Sequence, residues 1–112
     1  MKLNGQNIPM TEGAIAARLS ALAHPARLAI LRHLSARHCS CCKDVVQSVE
    51  LAQSTVSQHL KVLVEAGLVR YAPDRQRSLY EIDRVAVASL SKAVCGLLDS
   101  CCASELRIAN RE

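Results

Sequence analysis

A mostly α-helical domain carrying one small β-hairpin, with elements in the order ααααββα, is the fold class this chain predicts, and three observations predict it. Apolar residues recur at helical spacing through most of the chain. The period changes once, over residues 68–82, to short strand-like runs around a segment bearing a proline and two arginines. The composition is half apolar, yet it contains no Phe, no Trp and only two Tyr. A core of Leu, Val, Ile and Ala is therefore expected, which suits packed helices. At 112 residues the chain is expected to form one domain, 1–112, with a single modest core.

Residues 1–10 are polar with Pro9 and read as a loose segment. Thr11 is a candidate N-cap, with Glu12 in the first turn, where a negative charge is favoured. Ile15, Leu19, Leu22 and Ala23 give a helical stripe as far as His24. Pro25 fits the first position of a second helix, where its missing N–H has no partner to lose. That helix is expected over 25–36, with Leu28, Ile30, Leu31 and Leu34 covering much of its circumference. His24 and His33 read as capping or surface groups at least as readily as ligands. Residues 37–40 break the pattern. A short third helix over 42–48 turns Val45, Val46 and Val49 inward, and Glu50 and Leu51 make a turn.

The stretch from 52 to 67 is the most informative. As a helix it aligns Val56, Leu60, Leu63 and Val64 in one apolar stripe. The opposite face carries Ser54, Ser57, Gln58, Lys61 and Glu65, flanked by Thr55 and His59. An ordinary solvated face more usually alternates Glu and Lys. Short hydroxyl and amide side chains with little acid are instead suited to base edges and phosphates in a DNA major groove. Gly67 supplies the left-handed residue that ends the helix. A short helix, a tight turn and this helix make a helix-turn-helix over 42–67.

Behind it, residues 68–72 and 78–82 read as strands, and 73–77 as the turn between them. A hairpin in this place, 68–82, is a wing, and its tip residues Arg75 and Arg77 are set to meet phosphates or the minor groove. Asp83 caps a last helix over 83–106, whose stripe of Val87, Leu90, Val94, Leu97, Leu98 and Cys101 has little left within one chain to cover it. Pairing with a second copy, together with the first helix, is the expected use. A two-fold homodimer matches a palindromic operator.

A net charge of +4 is compatible with double-stranded DNA without requiring it. The scarcity of aromatic residues argues against single-stranded nucleic acid, whose binding relies on stacking. No apolar run reads as a membrane span, residues 1–10 lack the apolar core of a signal peptide, and the chain reads as cytoplasmic. No catalytic triad, phosphate loop or paired carboxylates point to an enzyme. Cys39 and Cys42 form a C-x-x-C, but a thiol oxidoreductase needs that motif after a strand in a βαβ setting. A winged helix serving only protein contacts is a third reading.

Six cysteines fall into two groups, Cys39, Cys41 and Cys42, then Cys95, Cys101 and Cys102. In a reducing compartment metal binding, redox chemistry or burial accounts for them better than disulfides. Three thiols close together in a loop suit a trivalent metalloid, whereas zinc prefers a fourth ligand. Cys95 and Cys102 lie on one helix face about 10 Å apart along its axis, too far to share an ion.

The element order and two sequence words resemble the small ArsR-type repressors. Residues 22–31, LAHPARLAIL, are similar to the family's second-helix signature, and 51–63, LAQSTVSQHLKVL, followed by 66–69, AGLV, to its recognition helix. The resemblance covers 14–82 closely and the last helix by architecture. It implies a dimeric, DNA-binding repressor released from its operator by an effector. Arsenic- and cadmium-type members carry a cysteine cluster with an aspartate at the start of the helix before the recognition helix. Cys41 and Asp44 fall on one of those cysteines and on the aspartate, while Lys43 and Val46 occupy the other two cysteine positions. The Asp-x-His of zinc-sensing members is absent, since Val85 follows Asp83 at that spacing. Arsenite, antimonite or another thiophilic ion at Cys39, Cys41 and Cys42 is thus the expected inducer, with no obligatory cofactor. A persulfide or oxidant acting on thiols is the alternative, as is a site using Cys95, Cys101 and Cys102, or Cys42 with Cys101 or Cys102.

Overall fold

The structure is a computed structural model, and it describes residues 10–103. Within them run α1 Glu12–Leu22, α2 Pro25–Ser35, β1 Ser40–Cys41, α3 Cys42–Val49, α4 Gln53–Glu65, β2 Val69–Asp74, β3 Arg77–Ile82 and α5 Arg84–Cys102. The expected loose segment falls outside the described residues apart from Met10, as do 104–106 of the expected last helix.

The helix starts are chemically signed. Thr11 Oγ1 accepts the Ala14 N–H at 3.1 Å, and Asp83 Oδ1 accepts the Ala86 N–H at 3.0 Å. His24 caps α2 ahead of Pro25, its Nδ1 accepting the Ala26 N–H at 3.0 Å. Helices α1, α2 and α4 stop one or two residues short of the sequence boundaries, where the chain already turns. Glu50 makes the turn between α3 and α4 in a left-handed conformation, φ 58°. Gly67 does the same after α4, φ 81°.

The sheet corrects the sequence reading in two places. Ser40 and Cys41, expected in the loop before the third helix, form a strand pairing antiparallel with Tyr80 and Leu79, so the order is β1-β3-β2. Two residues are too few to show a period. The strand exists because β3 offers it a free edge, and because Ser40 is buried with its Oγ 3.1 Å from His33 Nε2. His33 is accordingly a core residue tying α2 to β1, neither a surface group nor a cap. In the wing, the expected five-residue turn is only two residues long, Arg75 and Gln76, with Asp74 paired to Arg77 and Pro73 to Ser78. Proline is tolerated there because β2 is an edge strand and needs no N–H on its outer side.

The core is aliphatic, as the composition requires. Ile30, Leu34, Val45, Val56, Leu60 and Leu63 are fully enclosed, with Leu68, Val69 and Ile82 joining from the sheet. Helix α5 adds only Leu90 to the buried set; Leu97 and Leu98 are exposed at 44% and 55%. Contrary to the sequence reading, α5 is long and apolar enough, by length and composition, to cross a membrane. The small residues Ala, Ser, Gly and Cys between its larger apolar ones hide this in an inspection by stripe. Arg84, Lys92 and Asp99 lie along it.

Candidate nucleic-acid interface and thiol cluster

Helix α4 divides cleanly. Val56, Leu60 and Leu63 are sealed against α2, α3 and the sheet, while Ser54, Thr55, Ser57, Gln58 and Lys61 stand exposed. Ser54, Ser57, Gln58 and Lys61 fall on one face by helical spacing, with Thr55 on its flank. His59 differs. It is half-buried, with Nδ1 3.2 Å from Arg27 Nη1 and its ring centroid 4.5 Å from that of His24. Burial first, then the charges of His24 and Arg27, lowers its pKa from the ordinary histidine value.

Two arginines outside the sequence reading anchor α4, one at its middle and one at its C-terminal end. Arg27 Nε donates to Ala21 O at 2.6 Å, so the residue that meets His59 is itself fixed to the end of α1. Arg18 Nε, from the middle of α1, donates at 3.1 Å to Ala66 O, a free carbonyl at the C-terminus of α4. A guanidinium is favoured there by the helix dipole as well. Neither contact leaves a periodic trace, so only the resemblance at 22–31 could have drawn attention to Arg27.

At the wing tip Arg75 and Arg77 are exposed. Arg75 adopts φ 60° without being glycine, which costs about 1–2 kcal/mol. Arg77 Nη2 lies 3.3 Å from Asp74 Oδ2, so part of its charge is already answered within the chain. A second pair, Arg70 and Glu81 at 3.4 Å, crosses the same hairpin.

The first thiol group sits where β1 becomes α3. Cys39 is exposed just before the strand, Cys41 is the N-cap residue of α3, and Cys42 is its first helical residue. The Cys41 N–H donates to Asp44 Oδ2 at 3.3 Å. Hydrogen bonds from the Cys41 thiol and N–H hold the Asp44 carboxyl below its usual range. Cys42 Sγ lies 3.6 Å from Ser57 Oγ, in contact with the exposed face of α4. An open cleft of about 630 Å³ beside β1 is lined by His33, Arg37, Cys39, Ser40, Asp44 and Gln47, among others. Arg84 at the head of α5 reaches the loop above this cleft, its Nη2 3.4 Å from Ser35 O and 3.5 Å from Arg37 O. Among the described residues, no three of His, Cys, Asp and Glu are drawn together as a metal site. Cys95, Cys101 and Cys102 are all exposed along α5, and all six cysteines are free.

Residues 22–72 match the family model of a helix-turn-helix domain. The chain is 37% identical over 75 residues to the HTH-type transcriptional regulator YgaV of Escherichia coli (strain K12), covering 67% of this chain and 76% of that protein. It is 33% identical over 79 residues to the arsenical resistance operon repressor of Bacillus subtilis (strain 168), covering 70% and 75%. Its fold superposes with a TM-score of 0.62, at 25% identity, on the homodimeric winged helix-turn-helix DNA-binding domain of a possible ArsR-family regulator from Mycobacterium bovis, covering 75% of this chain and 80% of that one.

Proposed function

The chain belongs to the ArsR family of winged helix-turn-helix, DNA-binding transcriptional repressors, and from that membership we propose a homodimer that is released from its operator when a thiophilic inducer, arsenite or a close analogue, engages Cys39, Cys41 and Cys42. The observation that carries the proposal is the contact of Cys42 Sγ with Ser57 Oγ at 3.6 Å. In this reading the contact links a sensing thiol to the side of α4 that would face DNA. The similarity to an arsenical resistance operon repressor supports the choice of inducer. The exposed Leu97 and Leu98 of α5 and Leu19 of α1 support pairing of two chains through these helices.

The chemistry follows from the placement. Each As–S bond formed replaces an As–O bond, the thiol proton leaving with the hydroxide as water. Three sulfurs around one arsenic must draw within a few Å, so Cys39 has to move toward α3 and Cys42 away from Ser57. Cys41 would lose its place as N-cap and Asp44 its hydrogen bond, loosening the first turn of α3 against α4. An inducer that prefers the DNA-free form by about 2.7 kcal/mol lowers operator affinity a hundredfold.

The lack of a preformed three-donor group among the described residues favours a second reading, in which two thiols are oxidised to a disulfide while peroxide is reduced to water. One experiment separates them. A duplex selected by the wild-type protein from a randomised pool is titrated with arsenite or peroxide in Cys39→Ser, Cys41→Ser and Cys42→Ser, and in Cys95→Ser and Cys101→Ser/Cys102→Ser. The expected outcome is normal DNA binding throughout, with release by arsenite lost only in the first set. Loss confined to the second set would move the sensor to α5. Release by peroxide and not by arsenite would make the protein a redox switch.

A further inference from the structure

We infer that Arg27 is the positioning residue for His59: its guanidinium donates to Nδ1, leaves the imidazole proton on Nε2, and so makes α4 present a hydrogen-bond donor to DNA at this position. Arginine has five N–H donors and no acceptor. At 3.2 Å from Arg27 Nη1, Nδ1 of His59 must therefore hold a lone pair, which makes the ring neutral and its only N–H the one at Nε2. Arg27 cannot easily turn away, because its Nε is engaged by Ala21 O. His24 packs on the same ring with its plane tilted by 52°, and its own Nδ1 is occupied by the Ala26 N–H. The groups facing His59 are thus Arg27 and His24, both disfavouring a second positive charge, and the lowered pKa agrees with the geometry. Among the described residues no buried side-chain nitrogen or oxygen lacks a partner, and the hydrogen bond of His59 takes Nδ1, so Nε2 keeps access to solvent.

An N–H at this place has a definite set of partners. Phosphate oxygens, guanine N7 and O6, adenine N7 and thymine O4 accept; the amino groups of cytosine and adenine do not. His59 is therefore a donor among residues, such as Ser57 and Gln58, that can both give and accept. The inference rests on α4 being the helix that enters the groove.

Nitrogen-15 NMR of the imidazole rings in the wild type, Arg27→Lys and Arg27→Met tests the first half. The wild type is expected to show the proton on Nε2 and a titration midpoint below that of free histidine. Lysine, which also donates, is expected to preserve both, and methionine to raise the midpoint. A proton on Nδ1 in the wild type overturns the inference whether or not Arg27→Met folds, as does an unmoved midpoint in a folded Arg27→Met. The second half is read on a duplex selected by the wild-type protein from a randomised pool. Arg27→Met and His59→Ala are each expected to bind it about 3- to 10-fold more weakly, the worth of one hydrogen bond; an equal loss on an unselected duplex assigns the acceptor to a phosphate, and a loss confined to the selected duplex assigns it to a base. If His59→Ala keeps the wild-type affinity while Gln58→Ala loses it, the donor role is wrong and α4 remains the reading helix. If neither substitution changes binding, the assignment of α4 fails and the inference falls with it.

Discussion

Asp74 shows how much one side chain can alter what its neighbours do. Two arginines at a wing tip read as two phosphate contacts, but the carboxylate 3.3 Å from Arg77 competes with DNA for one of them. The pair is exposed and contributes little to stability, so its effect belongs to binding. Asp74→Asn is expected to tighten binding to all duplexes and to steepen the salt dependence by about one unit, the slope for one phosphate. Arg75→Ala with Arg77→Ala is expected to do the reverse. An unchanged slope in both variants would remove the wing from the interface. Histidine sets the response to acid. Burial lowers the pKa of His33 from 6.5, with Arg37 adding to the effect and Asp44 opposing it, and His59 is lowered as well. The unfolded chain then takes up protons first as pH falls through 6.5, so stability is full above that value and declines below it. His33→Gln, which cannot titrate, is expected to flatten the decline in denaturation midpoint between about pH 7.5 and 5.5. Parallel curves for the two proteins would count against this cause.

At the scale of elements, the parts written in local chemistry were readable from the chain and those written in tertiary contact were not. Thr11, Pro25 and Asp83 announce three helix starts, and Val56, Leu60 and Leu63 point the recognition helix inward. Strand β1 gave no signal, because two residues owe their conformation to the edge of β3 and to His33. The full length of the hairpin strands is not legible from the chain because Pro73 normally interrupts a strand, and only the edge position of β2 admits it. The clamps Arg18 and Arg27 carry no local signal, because their partners Ala66 and His59 lie 48 and 32 residues away. The thiol group was readable as residues but not as geometry, since its contact with Ser57 depends on how α3 packs on α4. Gly67 joins the two kinds of information. Its φ of 81° calls for glycine, and an added Cβ would lie 3.4 Å from Arg18 Nη2. Gly67→Ala is expected to cost about 1–2 kcal/mol in chemical denaturation, and equal stability of the two proteins would show that the turn relaxes freely.

For the whole molecule, the decisive feature is an apolar helix that its own chain leaves largely uncovered. Leu90 is buried in the monomer core and cannot report on assembly, whereas Leu97 and Leu98 are exposed. Leu97→Asp is expected to leave the monomer folded and to weaken pairing by several kcal/mol, giving a monomer in sedimentation that no longer holds a two-fold operator. A folded Leu97→Asp dimer would exclude this face. In the proposed mechanism the thiols at the start of α3 act on α4 while the dimer stays together. Sedimentation velocity of the wild-type protein on a labelled, selected duplex, with and without arsenite, addresses it directly. The result predicted is free duplex and protein that still sediments as a dimer. Release of the duplex together with dissociation to monomers, or an intact complex at saturating arsenite, would contradict it.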